Sequence, residues 1–221
     1  AGHFLSQADV LIAGAFFSKE AMGVYAVAMQ LATMPLSKVM MVINQVAYPA
    51  LSRLNREEGV RAEGLLQGGR LVAYVLFPVL WGLAVVAPFI VPLVIGPKWH
   101  DAVLPLQLVC IALPLRAVST MLTTAVAAVG RADLELWNTL SGCLIFPALF
   151  YFGAQHGVVG LSWAWVIGTP LMVLVNLIRS GQVLGIGVLD VAVALWRPLL
   201  CAGGMYLLLF ALQVTGVFDV Q

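Results

Sequence analysis

The chain has 221 residues, 62% of them hydrophobic and only 10% charged, with a formal net charge of +1 and a mean hydropathy of +1.02. A soluble domain carries about 45–50% apolar and roughly 25% charged residues, so this composition excludes an ordinary water-soluble fold. So small a net charge also gives no electrostatic reason to expect nucleic acid as a partner.

Several apolar runs are long enough to cross a bilayer, which takes about 20 helical residues. In lipid each such run must satisfy its own backbone, and a helix does so. The expected fold class is therefore an all-α membrane protein with about seven helices. The chain opens Ala1-Gly2-His3-Phe4, with no Met, basic n-region or cleavage site, as expected of a sequence that starts inside a larger protein. The first helix runs to about Phe17, too short to span alone, and Ser18-Lys19-Glu20 breaks it. The second runs from about Ala21 to Leu54, with Pro35 and Pro49 expected to kink it. The stretch from Arg53 to Arg70 follows; its Glu57, Glu58 and Glu63 offset its arginines. It reads as a solvated cytoplasmic connector in preference to an amphipathic surface helix.

The third helix is expected over about Leu71–Ile95 and ends at the turn Gly96-Pro97-Lys98-Trp99. The fourth spans about Ala102–Val129, before a break at Gly130-Arg131-Ala132-Asp133. The fifth, sixth and seventh follow at about Leu134–Ala154, Val158–Ser180 and Ala194–Val214. If the segments alternate across the membrane, Arg53, Arg56, Arg61, Arg70, Arg131, Arg179 and Arg197 share one side, with only Lys19 and Lys98 on the other. The excess of positive charge puts the Arg53–Arg70 stretch in the cytoplasm.

Two cations remain, Lys38 and Arg116, each near the middle of its predicted helix. An ionised side chain near the bilayer centre costs at least about 2.5–3.5 kcal/mol and usually faces a bundle interior or a hydrated cavity. Ser119, Thr120 and Thr123 lie three, four and seven residues beyond Arg116, on the same helix face. Met34, Lys38, Met41 and Gln45 share a face of the second helix in the same way, and Asp9 is the one acid within an apolar run. One reading has Lys38 and Arg116 lining a hydrated cavity that attracts an anionic group, Arg as a planar fork and Lys as a point charge. In that reading Gln45, Ser119, Thr120 and Thr123 join them as substrate-binding residues, and Asp9 balances or gates the charge. The other reading is a structural ion pair, with Asp9 neutralising one cation.

Gln30, Asn44, Gln107, Asn138 and Asn176 are polar residues in apolar surroundings, where interhelical hydrogen bonding is the usual explanation. The six tryptophans lie mostly toward predicted helix ends, as in an aromatic belt. Gly153 and Gly157 make a GxxxG at a helix end, which carries little weight there. Prolines at Pro78, Pro88, Pro92, Pro114, Pro147 and Pro170 are expected to bend their helices. Cys110, Cys143 and Cys201 sit in apolar runs without metal-ligand spacing and read as small buried hydrophobes. With His3, His100 and His156 isolated, no metal site and no cofactor are expected. Paired carboxylates, a nucleophile elbow, HExxH and a phosphate-cradling glycine loop are all missing from the sequence, so no enzyme is expected.

The order of certain motifs is familiar. The stretch QADVLIAGAFFSKEAMGVYAVAMQLATMP followed by VINQVAYPALSRLNRE resembles the bacterial lipopolysaccharide and exopolysaccharide biosynthesis exporters. These are oligosaccharide flippases of the multidrug/oligosaccharidyl-lipid/polysaccharide exporter superfamily. The motifs are Asp9, Gly23 with Tyr25, and Tyr48-Pro49-Ala50-Leu51-Ser52, with AVVAPFIVPLVIGPKWHDAV and AAVGRADLE further on. The resemblance covers about Gln7 to Glu135 and is only hydropathic beyond. It implies that residues 1–221 are the C-terminal lobe of a two-lobed transporter of the cytoplasmic membrane, the N-terminal lobe lying outside this sequence. It further implies alternating access and a lipid-linked, undecaprenyl-pyrophosphate oligosaccharide as substrate. Implied partners are that anionic glycolipid, membrane lipids, the other lobe and the polysaccharide polymerase machinery. A cation-coupled drug exporter of the same superfamily, a non-transporting scaffold and a membrane-embedded glycan polymerase stay open as alternatives.

Overall fold

The structure is a computed structural model describing residues 8–53 and 58–215, with the side chains at 8, 10, 11, 42–53, 58–61, 128 and 214 outside the described set. Among the described residues the chain forms seven α-helices, one 3-10 helix and no strand: α1 (Ala8–Phe16), α2 (Lys19–Arg53), α3 (Glu58–Val94), the 3-10 helix Pro97–Ala102, α4 (Val103–Ala128), α5 (Ala132–Ala154), α6 (Gly157–Leu184) and α7 (Val188–Val214). Among the described residues five helices, α3 to α7, are long and apolar enough to cross a membrane. The protein is a multi-pass, all-α membrane protein.

Three boundaries differ from the sequence expectation. Much of the stretch read as a connector is helical, since α3 begins at Glu58. Leu65 is buried, Leu66 packs beside it, and Gly68 leaves room for the Met121 side chain of α4. That apolar edge continues the helix inward despite the charges around it. At its far end α6 runs on to Leu184, where Gly185 adopts φ 68°, a left-handed conformation that costs other residues a Cβ clash. The Ile186 N–H then returns to the Gly181 carbonyl at 2.9 Å, closing the helix. Finally, α7 starts at Val188 because the Asp190 carboxylate accepts the Gly187 N–H at 2.8 Å, capping exposed donors at the helix start.

The helices run through Pro78, Pro88, Pro92, Pro114, Pro147, Pro170 and Pro198 without ending. Each proline removes one backbone donor, a loss that neighbouring helices make tolerable inside a membrane bundle. Cys110 is buried as expected, but Cys143 and Cys201 are exposed, on helices whose outer faces also expose Leu144 and Leu200. A lipid-facing surface is apolar, so a thiol needs no burial there.

At the centre of the bundle is α4, packed chiefly on α6 and α3 and also on α2, while α5 covers α6 and α7 leans on α3. The larger core cluster joins Tyr25, Leu76, Leu106, Leu113, Phe150, Leu161 and Trp165. A second gathers Phe77, Leu122, Leu177, Leu184 and Leu195 around the α3–α7 side. Between α5 and α6 the chain turns back so closely that a Cβ on Gly153 would stand 2.6 Å from the Gly160 carbonyl oxygen. The contact that matters at this turn is therefore Gly153 with Gly160, not the Gly153–Gly157 spacing visible in sequence.

Candidate functional site

A cavity of about 330 Å³ opens between α4, α5 and α6. From α4 it is lined by Arg116, Ser119, Thr120 and Thr123, the polar stripe read from sequence. Glu135, Asn138, Thr139 and Phe146 enter from α5, and Trp165, Thr169 and Asn176 from α6. Gly168 lets α6 approach, because a Cβ there would lie 2.7 Å from the Phe146 ring.

Arg116 lies midway along α4 and is half-buried. Its guanidinium carbon sits 4.6 Å from the centroid of the Trp165 ring, a cation–π stack worth about 0.5–2 kcal/mol depending on desolvation. The Trp165 indole N–H donates to the Tyr25 hydroxyl at 2.9 Å, and that hydroxyl donates to the Asp9 carboxylate at 2.8 Å. Tyr25, Trp165 and Asp9 are all buried. A continuous polar chain thus links α1, α2, α6 and α4 and holds the cation at the cavity wall. Phe146 and Phe150 pack against Trp165 at 5.1 and 5.3 Å between centroids, which fixes the platform on which Arg116 rests.

The hydroxyls on the cavity stripe are oriented by their own helix. Thr120 donates to the Arg116 carbonyl at 3.0 Å and Thr123 to the Thr120 carbonyl at 2.9 Å. Their lone pairs stay available to a ligand. Gln107 bridges α4 to the Ala84 carbonyl of α3 at 3.0 Å, the interhelical role expected for it. Asn138 and Asn176 also bridge helices, to Ser180 and Ser119 respectively.

Of the residues singled out from sequence, Arg116, Ser119, Thr120 and Thr123 come together in this cavity. Asp9 stands behind them, joined through Tyr25 and Trp165. Lys38 does not line the cavity; it is exposed on α2, on a face it shares with exposed Met34 and Met41. Gln45 and Asn44 have their backbone in α2, but their side chains lie outside the described residues. Trp165 is no belt residue: it is 2% exposed. Its spacing with Ser162, Thr169, Asn176 and Ser180 marks a polar stripe along α6, the signal that would have revealed this wall.

Residues 2–104 match the model of the family described as "Polysaccharide biosynthesis protein". The chain is 30% identical over 217 residues to the teichuronic acid biosynthesis protein TuaB of Bacillus subtilis, covering 96% of this chain and 44% of that protein. It is 29% identical to the lipopolysaccharide biosynthesis protein WzxC of Escherichia coli, covering 80% of this chain and 36% of that protein. It is 30% identical to the amylovoran biosynthesis protein AmsL of Erwinia amylovora, covering 65% of this chain and 37% of that protein. The chain therefore spans less than half the length of these curated relatives. No solved structure matches it. Motifs, membrane-spanning fold and relatives agree that the chain belongs to the family described as polysaccharide biosynthesis proteins.

Proposed function

We propose that this chain forms one lobe of a flippase that carries a lipid-linked, anionic oligosaccharide across the bacterial cytoplasmic membrane for surface polysaccharide synthesis. The single observation that carries this reading is a charged Arg116 midway along a membrane helix, held by Trp165 at the wall of a hydroxyl-lined cavity. Such a charge costs several kcal/mol in lipid unless it has a use or a partner. A guanidinium offers paired donors that match phosphate or carboxylate oxygens. The names of the relatives support a glycan as the cargo.

Transport by alternating access would need a second wall, which the remaining length of the full protein would supply. Lys38, on the exposed face of α2, is suited to meet the same anion from that side. Nothing in this chemistry requires a covalent step, so the protein's work is binding and reorientation.

The test is translocation of labelled lipid-pyrophosphate oligosaccharide in vesicles containing the full-length protein. Arg116→Ala is expected to lower the rate roughly tenfold to a hundredfold, the equivalent of about 1.5–3 kcal/mol for a charged hydrogen bond. Arg116→Lys should lose less. A rate unchanged in Arg116→Ala would make the arginine structural, and no transport by the folded parent would remove the flippase reading.

A further inference from the structure

Two buried side chains in the cavity are left incomplete. Asn138 of α5 and Asn176 of α6 are each 1% exposed. Each amide nitrogen donates to a serine hydroxyl on another helix, Ser180 at 3.0 Å and Ser119 at 2.8 Å. The amide oxygen of each has no hydrogen-bond partner among the described residues. Turning either amide end for end changes nothing essential, because a serine hydroxyl can donate or accept. One end of each carboxamide is still unpaired, at the full desolvation cost of that group. Both residues line the same cavity.

The chemistry of the lining limits what can complete them. A simple anion would want donors throughout, and Glu135 opposes it from α5. A simple cation would want acceptors throughout, and Arg116 opposes it from α4. A ring carrying several hydroxyls meets both demands, since each hydroxyl donates one hydrogen and accepts at its lone pairs. Thr123 and Thr139 add further hydroxyls to the wall. At about 330 Å³ the cavity stands at the small end of ligand pockets, which run roughly 300–1,000 Å³. That volume suits one sugar residue better than a whole oligosaccharide.

We infer that Asn138 and Asn176 form a sugar-recognising subsite, in which one residue of the transported glycan sits with its anionic neighbour or substituent toward Arg116. The inference rests on the flippase reading and adds to it a specificity determinant. Arg116 selects charge, whereas the two carboxamides select a hydroxyl pattern. A site built to bond hydroxyls discriminates strongly against ligands that lack them, because its buried polar groups are then left unpaired.

The test uses the full-length protein in detergent and two probes: inorganic pyrophosphate, and the repeat oligosaccharide cleaved free of lipid and phosphate from the source bacterium's own surface polysaccharide. Equilibrium dialysis should show the free oligosaccharide binding the parent and binding Asn138→Leu and Asn176→Leu at least tenfold more weakly. Pyrophosphate binding should be unchanged in both variants and reduced in Arg116→Ala. Oligosaccharide binding equal in parent and variants would overturn the subsite and leave the carboxamides to ordered water. A parent that flips the lipid-linked substrate in vesicles yet fails to bind the free sugar would also overturn it, while sparing the flippase reading. A folded parent that binds the sugar but flips nothing would sink the flippase reading instead. If the leucine variants lose their melting transition, Thr139→Val serves in their place, deleting one cavity hydroxyl with little change of shape. It should weaken sugar binding severalfold, and unchanged binding would count against the subsite.

Discussion

Two junctions in this bundle are built from similar helices and finished in opposite ways. Where α3, α4 and α7 meet, Leu65, Leu122, Ile186, Val191 and Leu195 leave a gap of only about 20 Å³. Phe77, Trp81 and Tyr206 interlock there edge to face, at 5.4 and 6.2 Å between centroids. Where α4, α5 and α6 meet, the space is about 330 Å³ and its wall carries a cation, an acid, hydroxyls and two amides. Both junctions lie among helices apolar enough to span a membrane. Lipid supplies no hydrophobic drive to bring helices together, so close packing and interhelical hydrogen bonds must do so. The first junction relies on packing. The second gives up packing for polar groups, a cost retained in one place and avoided in the other.

The sharpest way to break this contrast is at the glycines that set the width of the cavity side. Gly153→Ala would drive a methyl group to 2.6 Å from the backbone oxygen of Gly160, and backbone cannot rotate away as a side chain can. A loss of about 1–3 kcal/mol or more is expected, read as a lower melting temperature of the full-length protein in detergent, with transport falling in parallel. Unchanged melting would mean that the α5–α6 turn is looser than described.

Tyr25→Phe is subtler. It removes the donor to Asp9 and the acceptor for Trp165 together, and interhelical bonds in membranes average only about 0.6 kcal/mol each. The expected loss of stability is therefore about 1 kcal/mol, with a larger proportional loss of transport because Arg116 rests on the Trp165 ring. Equal losses of both would reduce the chain to a structural brace. Trp81→Phe is expected to have the smallest effect, since the indole bond to the Ile111 carbonyl is long, at 3.4 Å, and the ring contacts are largely kept. Melting should shift by less than the equivalent of about 1 kcal/mol, and vesicle transport should stay at the parent rate. A transport defect there would show that the dry junction moves with the working one.

Much of the α-helical framework was legible because long apolar runs in lipid admit few other solutions. The Arg116 stripe was legible too, since three-, four- and seven-residue spacings within one helix project onto one face. What could not be read was how stripes from different helices meet. Asn138 finds Ser180 across 42 residues and Asn176 finds Ser119 across 57, separations on which spacing rules are silent. The burial of Trp165 is not legible in sequence, because tryptophan serves equally at an interface and in a core. From Glu58 to Arg70 the charges mask the inward edge formed by Leu65 and Leu66. Lys38 and Arg116 look alike in sequence, yet only one faces the cavity.

The link from Asp9 to Trp165 also constrains how the protein is made. Asp9 meets Tyr25 only 16 residues further along, so that bond can form while the α1–α2 hairpin is still entering the bilayer. Tyr25 must then wait 140 residues for the indole of Trp165. At about 5–20 residues synthesised per second, that delay is on the order of ten seconds. Over roughly the last third of it, Arg116 is already made and its aromatic platform is not. Early insertion therefore leaves an arginine in the membrane without its eventual seat. The cavity wall is complete only once α6 arrives.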